Sequence, residues 1–173
     1  MATPFQNPFR PGAGHPPPYL AGRESEKNEF GRLLHQDAIL DNVVLTGLRG
    51  IGKTVLLDEF RPLAIGSRWL WVGSDLSESA SVGEDSLAIR LITDLSTATA
   101  GVIVSSSIRR PIGFGATERK VVTKLDFETL KRVYDSTPGL VADKLRAVLD
   151  LTWSVLSAGS APVRGVVFAY DEA

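Results

Sequence analysis

The sequence predicts an α/β fold, a three-layer sandwich built on a mainly parallel sheet, and three observations carry that expectation. A short β-branched, apolar run at 42–46 leads into a glycine-rich loop and then into a helical pattern. A second apolar run begins at Val166 and ends in the carboxylates Asp171 and Glu172, the form of a buried strand whose tip projects into a site. Between them, strand-like runs alternate with amphipathic stretches of helical period.

Taken in order, residues 1–18 read as a separate leader. Six of the ten prolines lie there, at 4, 8, 11, 16, 17 and 18, so neither a helix nor a central strand is expected. A polyproline II leader and an arm packing Phe5, Phe9 or Tyr19 on the domain are the two readings. Residues 19–173 read as one domain. From Glu24 to about Leu40, the residues Phe30, Leu33, Leu34 and Ala38 recur at helical spacing, with Glu24, Glu26, Lys27 and Glu29 on the other positions. The run 42–46 reads as a buried strand of a parallel sheet. Residues 53–60 carry Val55, Leu56, Leu57 and Phe60 on a helix that Pro62 is expected to stop.

Residues 68–73 predict a second strand, with Trp69 and Trp71 in the core. Ser81 and Glu84 have the spacing of a capping box, followed by the stripe Leu87, Ala88, Leu91, Ile92 and Leu95. Residues 98–136 read as an insertion with short strands at 102–104 and 121–122 and a turn region between them. Arg109 and Arg110, beside that turn, read as a solvated surface pair or as a contact to phosphate or a partner. Thr137 and Pro138 open a helix whose buried face is Leu140, Val141, Leu145, Val148, Leu149, Thr152 and Leu156, closed by Gly159.

The loop Gly47, Leu48, Arg49, Gly50, Ile51, Gly52, Lys53, Thr54 matches Gly-x-x-x-x-Gly-Lys-[Ser/Thr], the phosphate-binding loop. A chain that wraps a polyanion must turn its N–H groups inward, which requires positive φ angles that glycine alone adopts freely. Lys53 is expected to place its ammonium at the β- and γ-phosphates and Thr54 its hydroxyl on Mg²⁺, with Val55 continuing the first turn of the helix. The expected ligand set is therefore Gly47 through Val55, and the expected ligands are ATP and Mg²⁺. The run ending at Asp171 and Glu172 resembles a Walker B motif, in which Asp171 holds Mg²⁺ and Glu172 acts as general base, making Glu172 and Lys53 the catalytic candidates.

Composition narrows the partners. The formal net charge of −1 argues against nucleic acid as a partner of this segment. There is no cysteine, which excludes disulfides and thiolate chemistry and fits a reducing compartment. No apolar run approaches the about 18 residues of a membrane span, and the N-terminus lacks the layout of a signal peptide. A cytoplasmic location is expected, with no membrane partner.

Phosphate loop, acidic strand and paired Asp-Glu together resemble the AAA+ and STAND ATPases. The segment Tyr19, Leu20, Ala21, Gly22, Arg23, Glu24, Ser25, Glu26 is similar to the Gly-Arg-Glu box before the first helix of origin-recognition-like and STAND-type relatives. The resemblance covers roughly 19–173 and implies a P-loop NTPase sandwich that binds and hydrolyses ATP to drive a conformational change. It equally implies a signalling switch with little steady turnover. It places 19–23 beside the adenine, and implies either a second copy of the chain or a signalling partner. ATP is expected over GTP because Thr123, Lys124, Leu125, Asp126 lacks the leading asparagine of the guanine-reading motif. In these relatives a later strand lies between the two motif strands, followed by sensor, arginine finger and lid. No candidate follows Glu172, so the fold is expected to be incomplete at its C-terminus. The strand at 42–46 is then expected to be unpaired, nucleotide binding and turnover weak, and the chain prone to self-association.

Overall fold

The computed structural model describes residues 22–37, 39, 42–73, 75–76, 83–109, 119–159 and 162–172. The protein is mixed α/β, with five helices among the described residues, and divides into two compact units, Met1–Trp69 and Leu70–Ala173. The leader at 1–18 and the first three residues of the Gly-Arg-Glu box, 19–21, lie outside the described residues.

In the first unit, helix α1 spans Glu24–Leu34 and buries Phe30 and Leu34. It ends there, with His35 as its C-cap and 36–37 not helical, short of the expected end near Leu40; Ala38 and Leu40 themselves lie outside the described residues. Helix α2 spans Lys53–Gly66 and buries Leu56, Phe60 and Ala64, one side chain per turn on a single stripe. Pro62 lies inside α2 and does not stop it. The ring removes one N–H and costs stability, but the helix continues because the turn beyond it buries Ala64 completely. The two helices pack together. The rings of Phe30 and Phe60 stack at 4.3 Å, and Lys27 Nζ donates to Glu59 Oε2 at 3.1 Å.

The expected buried strand at 42–46 is not present. Residues 42–48 carry no strand pairing, and Val43 and Val44 are 50% and 76% exposed. Apolar, β-branched composition favours extension, but a strand exists only through a ladder partner. Among the described residues no strand runs beside this one.

In the second unit, β1 (Trp69–Val72, its first residue the last of the first unit) pairs with β5 (Gly165–Phe168). Strand β2 (Asp75–Leu76) pairs in parallel with β6 (Asp171–Glu172). Beyond β1, the Ala169 N–H donates to the Val72 carbonyl at 2.8 Å. Gly73, at φ 155°, lies so close that a Cβ there would run into the Ala169 carbonyl. Val166 and Val167 are half-buried and Phe168 is 37% exposed, so this strand is not the fully buried one expected. Trp69 and Trp71 are likewise half-buried rather than core. The Trp69 indole N–H donates to the Leu34 carbonyl at 3.1 Å.

Helix α3 spans Glu84–Ala98 with Gly83 as its N-cap and no side-chain cap. The expected cap Ser81 lies outside the described residues and before the helix boundary. Ala88, Ile92 and Leu95 are buried as expected, whereas Leu87 is 36% exposed. The region read as an insertion holds an antiparallel hairpin, β3 (Ile103–Arg109) with β4 (Arg119–Lys124), registered from Ile103 against Lys124 to Arg109 against Arg119. Of its expected turn, 109–115, Arg109 instead ends β3 opposite Arg119, and the rest lies outside the described residues.

The same region holds an unexpected helix, α4 (Phe127–Ser136). It starts where the Thr129 N–H donates to Asp126 Oδ1 at 2.9 Å. Helix α5 spans Val141–Ala158 and buries Val148, Thr152 and Leu156. It starts three residues after Pro138, with the Leu140 N–H donating to Asp143 Oδ2 at 3.0 Å. Leu140 and Leu149, expected on its buried face, are 77% and 42% exposed. Helices α3, α4 and α5 pack on one another. Their core joins Val72, Ala88, Ile92, Leu95, Leu125, Leu130, Tyr134 and Val148. No helix among the described residues is long and apolar enough to cross a membrane.

Candidate functional site

The glycine-rich loop has the backbone its sequence requires. Gly47, Gly50 and Gly52 adopt φ of 147°, 83° and 86°, conformations that disfavour a side chain. At Gly47 a Cβ would also collide with the Ile51 side chain. The loop closes on itself through Lys53, whose ammonium donates to the Gly47 and Leu48 carbonyls, each at 3.1 Å. Leu48 is 80% and Ile51 42% exposed, and Arg49 and Thr54 are exposed as well. The loop therefore stands in solvent.

Gly52 is also the N-cap of α2, in the left-handed conformation and with no side-chain cap. No acidic residue occupies the first turn, in contrast to α1, α3, α4 and α5. No acidic side chain of its own first turn offsets the positive end of the α2 dipole, beside Lys53, Thr54 and Val55. Backbone N–H groups, a helix N-terminus, an ammonium and a hydroxyl converge on one short loop. That set suits a phosphate group with an accompanying divalent cation.

Arg23 was not legible as a loop residue. Its Nη2 donates to the Ile51 carbonyl at 2.9 Å, across 28 residues of sequence, and its Nη1 to Glu26 Oε1 at 2.7 Å. Glu26 also accepts from the Ser25 hydroxyl at 2.6 Å. The Ser25 hydroxyl and the Arg23 guanidinium together hold the Glu26 carboxyl down to about 2. A cleft of about 520 Å³ adjoins the loop, lined by residues that include Arg23, Glu26, Phe30, Val43, Lys53 and Phe60. The signal that pointed here was the Gly-Arg-Glu box, whose resemblance placed 19–23 beside the adenine and not on the Ile51 carbonyl.

The acidic pair belongs to the second unit. Asp171 is half-buried and pairs through its backbone with Asp75, as Glu172 does with Leu76. The preceding Tyr170 hydroxyl is buried and has no hydrogen bond of good geometry. Burial and the nearby Asp94 carboxylate push its pKa well up, so it stays a neutral phenol. Among the described residues, no group of three or more His, Asp or Glu side chains gathers to hold a metal ion alone. The rejected guanine motif has a structural role: Leu125 is fully buried and Asp126 caps α4.

Comparison with protein-family models, with curated proteins and with solved structures found no match.

Proposed function

We propose that this protein binds a Mg²⁺-nucleoside triphosphate, ATP, at the loop 47–55, as part of an ATPase whose hydrolysis drives a conformational change. The observation that supports this most is the loop itself: three left-handed glycines and Lys53 at the uncapped N-terminus of α2. In this reading Lys53 exchanges the Gly47 and Leu48 carbonyls for phosphate oxygens, keeping its charge paired in both states. The backbone N–H groups of 50–55 orient the phosphates, and the Thr54 hydroxyl is the ligand this loop offers to Mg²⁺. The cation would neutralise charge on the terminal phosphates.

The roles of Asp171 as a Mg²⁺ ligand and Glu172 as general base rest on the sequence pattern, as does the three-layer P-loop sandwich of AAA+ or STAND type. A nucleotide-dependent switch with little steady turnover is the second reading, favoured by the Arg23 link between the Gly-Arg-Glu box and the loop.

Calorimetric titration of the wild type and Lys53→Ala with Mg²⁺-ATP tests the binding. The wild type is expected to bind and the variant to lose at least about tenfold in affinity, since a charge-assisted contact disappears. Equal affinities would remove the loop from the reading. Glu172→Gln should keep binding and lose hydrolysis; an unchanged turnover rate would remove Glu172 from the chemistry. ADP that copurifies with the protein, together with very slow turnover, would select the switch.

A further inference from the structure

The Ile51–Gly52 peptide lies between two left-handed glycines, Gly50 at φ 83° and Gly52 at φ 86°. That peptide plane turns on ψ of Ile51 and φ of Gly52, and on the Gly52 side glycine accepts either sign of φ. Its bond is trans, as is every peptide bond among the described residues, so the Ile51 carbonyl and the Gly52 N–H point in opposite directions. Whatever fixes the carbonyl therefore fixes the amide. The Ile51 carbonyl accepts from Arg23 Nη2 at 2.9 Å. Arg23 is itself held by Glu26 at 2.7 Å, and its side chain is only 27% exposed. Glu26 stays ionised across the working pH range because Ser25 and Arg23 stabilise its charge.

We infer that Arg23 is the positioning residue of the phosphate loop: by holding the Ile51 carbonyl on one side, it turns the Gly52 N–H to the other, toward the bound polyphosphate. The inference rests on the nucleotide-binding reading. The division of labour with Lys53 follows from geometry. Lys53 must leave its carbonyls to meet an anion, whereas Arg23 keeps its own in both states. The fork is specific to arginine, since one lysine ammonium lacks two parallel donors on a rigid plane. The Arg23 side chain makes no hydrogen bond to the backbone at the start of α1, so its replacement removes only the Glu26 contact there.

The test combines amide resonances of the ligand-free protein with Mg²⁺-ATP affinity, for wild type, Arg23→Met, Arg23→Lys and Glu26→Gln. Arg23→Met is expected to shift or broaden the Gly52 amide resonance through exchange between two peptide orientations, with the amides of 27–34 unchanged. It should also weaken Mg²⁺-ATP binding about tenfold. Glu26→Gln should do the same more weakly, and Arg23→Lys should not restore the wild-type behaviour. An unmoved Gly52 resonance in Arg23→Met overturns the inference, as does a moved one with undiminished affinity or full rescue by lysine. A wild type that fails to bind Mg²⁺-ATP sinks the nucleotide reading separately, and the Gly52 resonance then still decides whether Arg23 sets the peptide.

Discussion

Glu26, in α1, is linked through Arg23 to the glycine-rich loop that leads into the next helix. Its folded pKa, about 2, lies below the ordinary glutamate value of 4.5. The interactions that depend on its charge are therefore complete above the ordinary value and lost as pH falls through the folded one. A carboxyl titration by NMR should find its midpoint near 2. A midpoint at the ordinary value would mean that the Ser25 and Arg23 bonds are not populated. Thr99 is the buried counterpart. Fully inaccessible, its hydroxyl lies 2.8 Å from both the Leu95 and Leu125 carbonyls, sharing one proton between the end of α3 and the approach to α4. Thr99→Val keeps the shape and removes the hydroxyl donor from the Leu125 carbonyl, while the Leu95 carbonyl keeps the residue-99 N–H. Urea unfolding should register a loss of about 1–3 kcal/mol, and a neutral result would deny the link.

The glycine-rich loop was legible because its requirements are local: three glycines, a lysine and a following helix specify φ angles and donors without help from distant residues. The strand at 42–46 was misread because burial is not local. Its composition permits extension, but pairing is decided by what lies alongside, and Val44 stands 76% exposed. Val44→Lys should therefore change stability by less than about 0.5 kcal/mol, whereas a charge forced into a central strand would cost several times that. Helix α4 was missed for a different reason. Asp126 was weighed only as a base-reading residue, although an N-cap followed by Leu130, Val133 and Tyr134 at helical spacing was in the sequence. Pro62 was over-weighted in turn, since tertiary burial of Ala64 overrides a local breaker. Pro62→Ala should stabilise α2 by roughly 1–3 kcal/mol, read from thermal unfolding. A destabilised variant would show that the ring makes packing contacts that matter more than the lost N–H.

Each unit takes its stability from its own apolar stripe. In the second, Ile92, Leu125 and Leu130 are fully inaccessible and join three helices to β1 in one core. Ile92→Ala should cost about 2–5 kcal/mol. The first unit is built differently, around the stacked Phe30 and Phe60 and a solvent-facing loop. Sequence motifs placed 47–52 correctly as a loop, whereas the acidic pair, expected at the tip of the 166–170 strand, forms the separate short strand β6 beside β2. The contact that ties Arg23 to Ile51 lay beyond their reach, because a guanidinium's partner is set by how α1 packs on α2. The central claim is that 47–55 is a triphosphate site, and the most direct measurement is a residue-by-residue amide shift map during titration with Mg²⁺-ATP. The expected result is saturable shifts concentrated at 47–55, largest at Gly50, Gly52 and Lys53, and abolished in Lys53→Ala. Shifts that do not saturate, or that fall elsewhere and persist in Lys53→Ala, would contradict it.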